Sequence, residues 1–358
     1  MEHLRQSSET AIEISGNNAN QTVDLHIVKI FIALQFSGGI GMLILLSTAL
    51  LSRTGTVRRF GSSLDISINR SRTWYSFCIS WIISCFSYCL LFFCGEQFNP
   101  DENPSYGACL VQAALSYSSP PLTGATTVAL LLDVWWTFHA AVMGETFGGK
   151  TVMISLLAVP YMLWIFLTTG FLIAGGAYPR MVQRDFTIAP FCFLDHPVPP
   201  VFVCTLTLAL ALATMVMLIT LAINMYRIGK QIRHSSVHHS CAPALPRETD
   251  NTKGEFNHGR NQEQLLALII RLIVFSIGDL IAVTISVVFV INRATGLWAD
   301  LSIAALPLIT VLIFGSQKDF LQLWLNLLRW FLPCLRRNTY TLQVTSVKDW
   351  SSMPTIIS

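Results

Sequence analysis

Three ionisable side chains stand out inside otherwise apolar stretches of this chain: Asp133, Arg271 and Asp279. A charge surrounded by hydrocarbon is costly, so such residues face a protein interior and are candidates for pairing, ligand binding or ion handling. Asp133 and Arg271 have opposite sign and can neutralise each other if the fold brings them to one depth. A pair between two helix ends would act as a latch that opens when the helices separate. It would equally serve as a static pair that helps insertion. Asp279 is expected to hydrogen-bond across helices with Gln35, Thr123 or Thr127, or to form with them an intramembrane polar site for a ligand. Cys109 and Cys192 are the expected disulfide, with Cys94 as the competing partner. Asn20-Gln21-Thr22 is a glycosylation sequon, and Cys334, followed by Leu335-Arg336-Arg337, is a candidate for palmitoylation. His238-His239 reads as part of a solvated loop. No metal set is expected, because nothing near His139 completes one.

The elements that position these residues are seven apolar stretches, roughly 25–51, 74–94, 108–138, 151–175, 199–226, 264–291 and 298–315. Each supplies about the 20 apolar residues a helix needs to cross ~30 Å of hydrocarbon. Lipid offers the backbone no hydrogen-bond partners, so such stretches must be helical. The composition agrees: 53% of residues are hydrophobic and 12% are charged, with mean hydropathy +0.55. A soluble domain is nearer a quarter charged.

Charge placement sets the expected orientation. Seventeen Lys/Arg fall in the connections after stretches 1, 3 and 5 and in the C-terminal tail, against four in the opposite set: Arg5, Arg180, Arg184 and Arg293. Basic residues gather on the cytoplasmic side, so the N-terminus is expected outside and the C-terminus inside. The net charge of +3 is not gathered on one segment, so nucleic acid is not an expected partner. The first 23 residues lack the apolar core of a signal peptide, and the first span is expected to serve as the insertion signal. Cys109 and Cys192 then share an oxidising compartment and one membrane depth. Asp133 lies 24 residues after Cys109, roughly 36 Å at 1.5 Å per residue, in the cytoplasmic third. Arg271 lies roughly 10 Å above the inner boundary of span 6, so the two depths match.

The expected fold is all-α: a seven-transmembrane helix bundle with an amphipathic eighth interfacial helix. Residues 1–23 form the extracellular segment, 24–316 the transmembrane domain with a cytoplasmic loop at 227–263, 317–333 the interfacial helix and 334–358 the cytoplasmic tail. In the interfacial helix, Phe320, Leu321, Trp324, Leu325, Leu328, Phe331 and Leu332 recur at helical spacing opposite Asp319, Gln322, Asn326 and Arg329. Pro333 ends it. Pro120-Pro121 interrupts the backbone ladder of span 3, and freed carbonyls there can line a pocket. The outer connection 177–198 carries Phe186, Ile188, Phe191 and Phe193, the composition of a lid over the bundle.

Cys109 at the top of span 3, Cys192 in the second outer loop, seven spans, an outer N-terminus and an interfacial helix followed by a Cys together resemble a G-protein-coupled receptor, over roughly residues 25–335. Asp133 stands where rhodopsin-like members carry the acid of their Asp-Arg-Tyr motif, but this chain reads Asp133-Val134-Trp135. Span 7 has Pro307-Leu308-Ile309-Thr310 where those members have Asn-Pro-x-x-Tyr. The stretches Trp74-Tyr75-Ser76-Phe77-Cys78-Ile79-Ser80-Trp81-Ile82 and Phe314-Gly315-Ser316-Gln317-Lys318-Asp319 are similar to those of divergent fungal seven-helix receptors, including orphan receptors of mushroom-forming fungi. The resemblance implies a plasma-membrane receptor that transduces an extracellular ligand signal, such as a pheromone or nutrient, to a heterotrimeric G protein. It implies no cofactor and no enzymatic activity. The rival expectation is a seven-helix transporter or channel, with Asp279 and Asp300 on its pathway. A retinal protein is disfavoured because span 7 has no Lys; Lys318 lies beyond its end.

Overall fold

The structure, a computed structural model, describes residues 2–53, 70–98, 104–143, 149–184, 189–239, much of 270–288, 297–317 and much of 320–325. The described residues are mostly helical, as an all-α membrane protein requires. The helices are α1 (Glu2–Arg53), α2 (Arg72–Tyr88), α3 (Leu90–Phe93), α4 (Tyr106–Met143), α5 (Lys150–Ala177), α6 (Val198–His239) and α7 (Leu297–Gly315). The described residues between 270 and 288 are also helical. Among the described residues three segments are long and apolar enough to cross a membrane: His26–Ser52 in α1, Lys150–Ala177 (α5) and Val198–Asn224 in α6. Asp300–Gly315 is a shorter apolar helix.

Two helices run beyond the stretches that foretold them. α1 starts at Glu2, so residues 2–23 are helical and continuous with the first apolar stretch. α6 continues to His239, making the start of the 227–263 connection helical.

The chain divides into two compact units, one of Met1–Leu46 and Arg70–Ile313, the other of Ser47–Asn69 and Phe314–Ser358. In the first unit α4 is the axis, packing against α2, α5 and α6. That position explains its composition. Gln112, Ser116, Ser118, Ser119, Thr126 and Thr127 are all buried, so they meet helices and not lipid. Small polar residues let helices approach and hydrogen-bond across the seam. Ser80 of α2 and Thr126 share a hydrogen bond of 2.8 Å, and Ser118 and Thr168 of α5 share one of 2.7 Å. Helix α5 is reached again where Ser76 Oγ of α2 donates to Tyr161 Oη at 3.1 Å.

The stretch at 74–94 is not one helix. It breaks at Cys89, between α2 and α3. The Tyr88 carbonyl accepts a hydrogen bond from Gln112 Nε2 at 3.0 Å, and a side chain inserted into the backbone ladder is a sufficient cause of a break. Nearby, Ser87 Oγ donates back to the Ile83 carbonyl at 2.7 Å, which also bends a helix. By contrast α4 passes through Pro120 and Pro121 as one helix. Pro120 lacks the N–H that would bond the Ser116 carbonyl, and that carbonyl instead accepts the Tyr88 hydroxyl at 3.4 Å.

In the second unit Trp324 Nε1 donates to Thr48 Oγ1 at 3.4 Å. Phe320 is fully buried and meets Trp324 with ring centres 6.2 Å apart. The described residues from 320 to 325 are helical.

Candidate functional site

The first unit holds a cavity of about 90 Å³ between α1, α2, α4, α6 and α7. Gln35 comes from α1, Trp81, Ser84 and Tyr88 from α2, and Pro120, Thr123 and Gly124 from α4. Val203, Cys204 and Thr207 come from α6, and Ile303, Leu306 and Pro307 from α7. Among the described residues the wall is mainly apolar and carries no charged side chain. Its polar atoms are committed unevenly. Thr123 Oγ1 donates to the Pro120 carbonyl at 3.0 Å, and Thr207 Oγ1 donates to Val203 at 2.8 Å. Gln35 is 1% exposed, and its Oε1 has no hydrogen-bond partner among the described residues. A buried acceptor without a donor carries its full desolvation cost, about 1–3 kcal/mol.

An aromatic cluster closes one end. Tyr88 lines the cavity and meets Phe31 at 5.8 Å and Phe191 at 5.2 Å between ring centres. Phe31 and Phe191 are 6.0 Å apart. Phe191 belongs to the connection between α5 and α6, which folds as a short hairpin of β1 (Val182–Gln183) and β2 (Phe193–Leu194). The Cys109–Cys192 disulfide, with Cα atoms 5.3 Å apart, fastens that hairpin to the start of α4. Cys94 is a free, exposed thiol. Gln112, fully buried, ties the parts together: its Nε2 holds the Tyr88 carbonyl and its Oε1 accepts the Cys192 N–H at 3.1 Å.

A second clasp lies outside the disulfide. Arg184 donates from Nη1 to the Glu96 carbonyl at 3.0 Å and from Nη2 to the Gln97 carbonyl. Burial lowers the Arg184 pKa from its ordinary value, and the Glu96 carboxylate opposes that shift. Gln97 Nε2 donates to the Pro190 carbonyl at 2.8 Å. The planar fork of arginine suits two neighbouring carbonyls, and a lysine point charge does not. Replacing Arg184 by Ala is therefore expected to cost about 1 kcal/mol and to speed amide exchange at residues 189–195. Arg184→Lys should recover little of that protection. Hydrogen exchange read by mass spectrometry checks both.

At the far end of α4, Thr73 Oγ1 donates to Asp133 Oδ2 at 2.6 Å. Thr73 lies in the first turn of α2, whose N-cap Ser71 accepts the Trp74 N–H. A carboxylate is stabilised beside the positive end of a helix, so Asp133 is anchored to the start of α2. Arg271 is half-buried in the 270–288 helical segment. Two residues on, Ile273 packs with Val134, Trp135 and Phe138 of α4 and Leu221 of α6. The segment carrying Arg271 is thus a neighbour of α4 close to Asp133.

Of the expected polar site, Gln35 and Thr123 meet in the cavity. Thr127 is buried but donates to the Thr123 carbonyl at 2.7 Å and does not line it. Asp279 and Cys334 lie outside the described residues. Asn20 falls within the helical span of α1. Sequence reading missed Trp81, Cys204 and Thr207, which look like packing residues until the helices are assembled. It also missed Gln112, whose one available signal is an amide inside an apolar stretch. Among the described residues no three His, Cys, Asp or Glu side chains gather as a metal site. No protein-family model matches the chain, and no curated protein matches it.

Proposed function

We propose that the chain is a plasma-membrane G-protein-coupled receptor of seven spans and an interfacial eighth helix, with its N-terminus outside. The observation that carries this reading is the cavity beneath a hairpin held by a disulfide. A small ligand bound there touches five helices at once, so it can favour one packing of the bundle over another. The clustered contacts of α4, α6 and the Arg271 segment supply a second, distant end whose separation a G protein would read. Asp133 and Arg271 serve as the latch between them. An interfacial helix over 317–333 and a lipid anchor at Cys334 belong to this reading.

Purified chain in lipid nanodiscs should accelerate guanine-nucleotide exchange on a heterotrimeric G protein when a cavity ligand is added. The transporter reading requires solute flux across vesicles containing the chain alone. Flux without any effect on exchange would replace the receptor reading.

A further inference from the structure

We propose that Asp300 makes one end of the cavity a cation site, which takes a small organic ammonium with a short apolar body. This deepens the receptor reading by naming its ligand chemistry, and it rests on that reading only for the link to signalling.

Three observations lead there. First, Asp300 is placed beside the cavity. It lies in the first turn of α7. Asp300, Ile303 and Pro307 follow at helical spacing on one face of that helix, and Ile303 and Pro307 line the cavity. Asp300 therefore stands one turn beyond the lining residues, toward the helix start. It lies within electrostatic reach of Tyr88, in the cavity wall, and of Tyr117 of α4. Both tyrosines are also in reach of Cys204, another wall residue. Side chains of α2, α4, α6 and α7 thus converge near one carboxyl group.

Second, that carboxyl group lacks a counter-charge. Protein surrounds Asp300, yet part of its surface stays open, so it faces space as well as packed atoms. Among the described residues it has no ion pair and no side-chain hydrogen bond. Arg184 of the hairpin directs its guanidinium to the Glu96 and Gln97 carbonyls instead. An enclosed acid without a partner is costly, and a cation brought to it supplies what is missing.

Third, the surroundings suit an organic cation better than a metal ion. Hard metal ions require about six oxygen ligands or more, and among the described residues no three His, Cys, Asp or Glu side chains gather. Tyr88 belongs to an aromatic cluster with Phe31 and Phe191, and aromatic faces attract organic cations. The adjoining cavity is mainly apolar and holds about 90 Å³. A cavity of about 150 Å³ accommodates benzene, so by proportion the apolar body has about four heavy atoms.

The test uses the full chain in nanodiscs of zwitterionic lipid with no G protein, and empty nanodiscs as the blank. Butylammonium and 1-butanol are the probes, alike in shape and different in charge. Saturation-transfer NMR should show saturable butylammonium binding at least about tenfold tighter than any butanol binding. Asp300→Asn, which keeps the shape and removes the charge, should abolish that preference. Ile303→Phe, which fills space beside Asp300, should weaken butylammonium several-fold and serves where the first variant fails to fold. Equal binding of the two probes, a preference that survives Asp300→Asn, unchanged binding to Ile303→Phe, or full displacement by sodium at the same concentration would each overturn the inference. Saturable butylammonium binding that Asp300→Asn removes, without any effect on nucleotide exchange, would overturn the receptor reading and leave this one standing.

Discussion

Replacing Cys192 by Ser should lower the thermal midpoint of the purified chain sharply and detach the hairpin from α4. The bridge closes a separation of 83 residues. In a free chain such a loop is worth roughly 4–5 kcal/mol of denatured-state entropy. Here the two cysteines flank helices that a membrane confines even when tertiary packing is lost, so about 2–4 kcal/mol is the expected cost. Gln112 makes the loss larger than entropy alone. Its Oε1 takes the Cys192 N–H and its Nε2 the Tyr88 carbonyl, so a displaced residue 192 strips a partner from a buried amide. Phe191 would leave Phe31 and Tyr88 at the same time, opening the cavity. Cys109→Ser should match Cys192→Ser, and the double variant should add nothing, because both remove one bond. Thermal unfolding followed by tryptophan fluorescence checks the stability. Cys94→Ser is the control and should be silent, since that thiol is free and exposed.

Gly38→Leu should be the most damaging single substitution in α1. A Cβ at this position would fall 2.6 Å from Pro307 Cβ and 3.1 Å from the Leu308 backbone N. Neither neighbour can swing aside, since one is a fixed ring and the other is main chain. The seam between α1 and α7 must then open. Overpacking of a dense core typically costs about 1–3 kcal/mol, and a whole leucine at a backbone seam should reach the top of that range. Gly41 meets Val311 Cγ atoms at 2.8 Å and should show a milder effect, because valine can change rotamer. Gly170→Leu is the control: nothing lies within 4 Å of its Cβ direction on α5. Surface yield and thermal midpoint should fall in the order Gly170→Leu, Gly41→Leu, Gly38→Leu. A Gly38→Leu protein as stable as the Gly170→Leu protein would mean that α1 and α7 do not meet there.

Apolar run length announced the helices, because lipid and a dry core impose the same demand on the backbone. It could not mark their ends. α1 reaches back to Glu2 and α6 on to His239, where hydropathy has already faded but no proline stops the helix. Nor could it show the break at Cys89, which arises from Gln112, a residue on another helix. α4 was legible as apolar but falls short as a membrane span by composition. Its serines and threonines belong to a helix surrounded by other helices. The site was half legible. Gln35 and Thr123 stood out as polar groups in apolar stretches, whereas Trp81, Cys204 and Thr207 acquire meaning only when five helices converge. The Thr73–Asp133 hydrogen bond spans 60 residues of sequence, and no local pattern encodes it.

The proposed signalling role turns on whether the inner ends of the helices move as a switch. The direct measurement is guanine-nucleotide exchange on a heterotrimeric G protein without ligand, driven by nanodisc-held wild type, Asp133→Asn, Arg271→Gln and the charge-swapped Asp133→Arg/Arg271→Asp double variant. With a latch between the two charges, each single variant raises basal exchange several-fold and the swap returns it toward wild type. Equal exchange by all four well-folded proteins, or none by any of them with ligand present, would contradict the receptor reading.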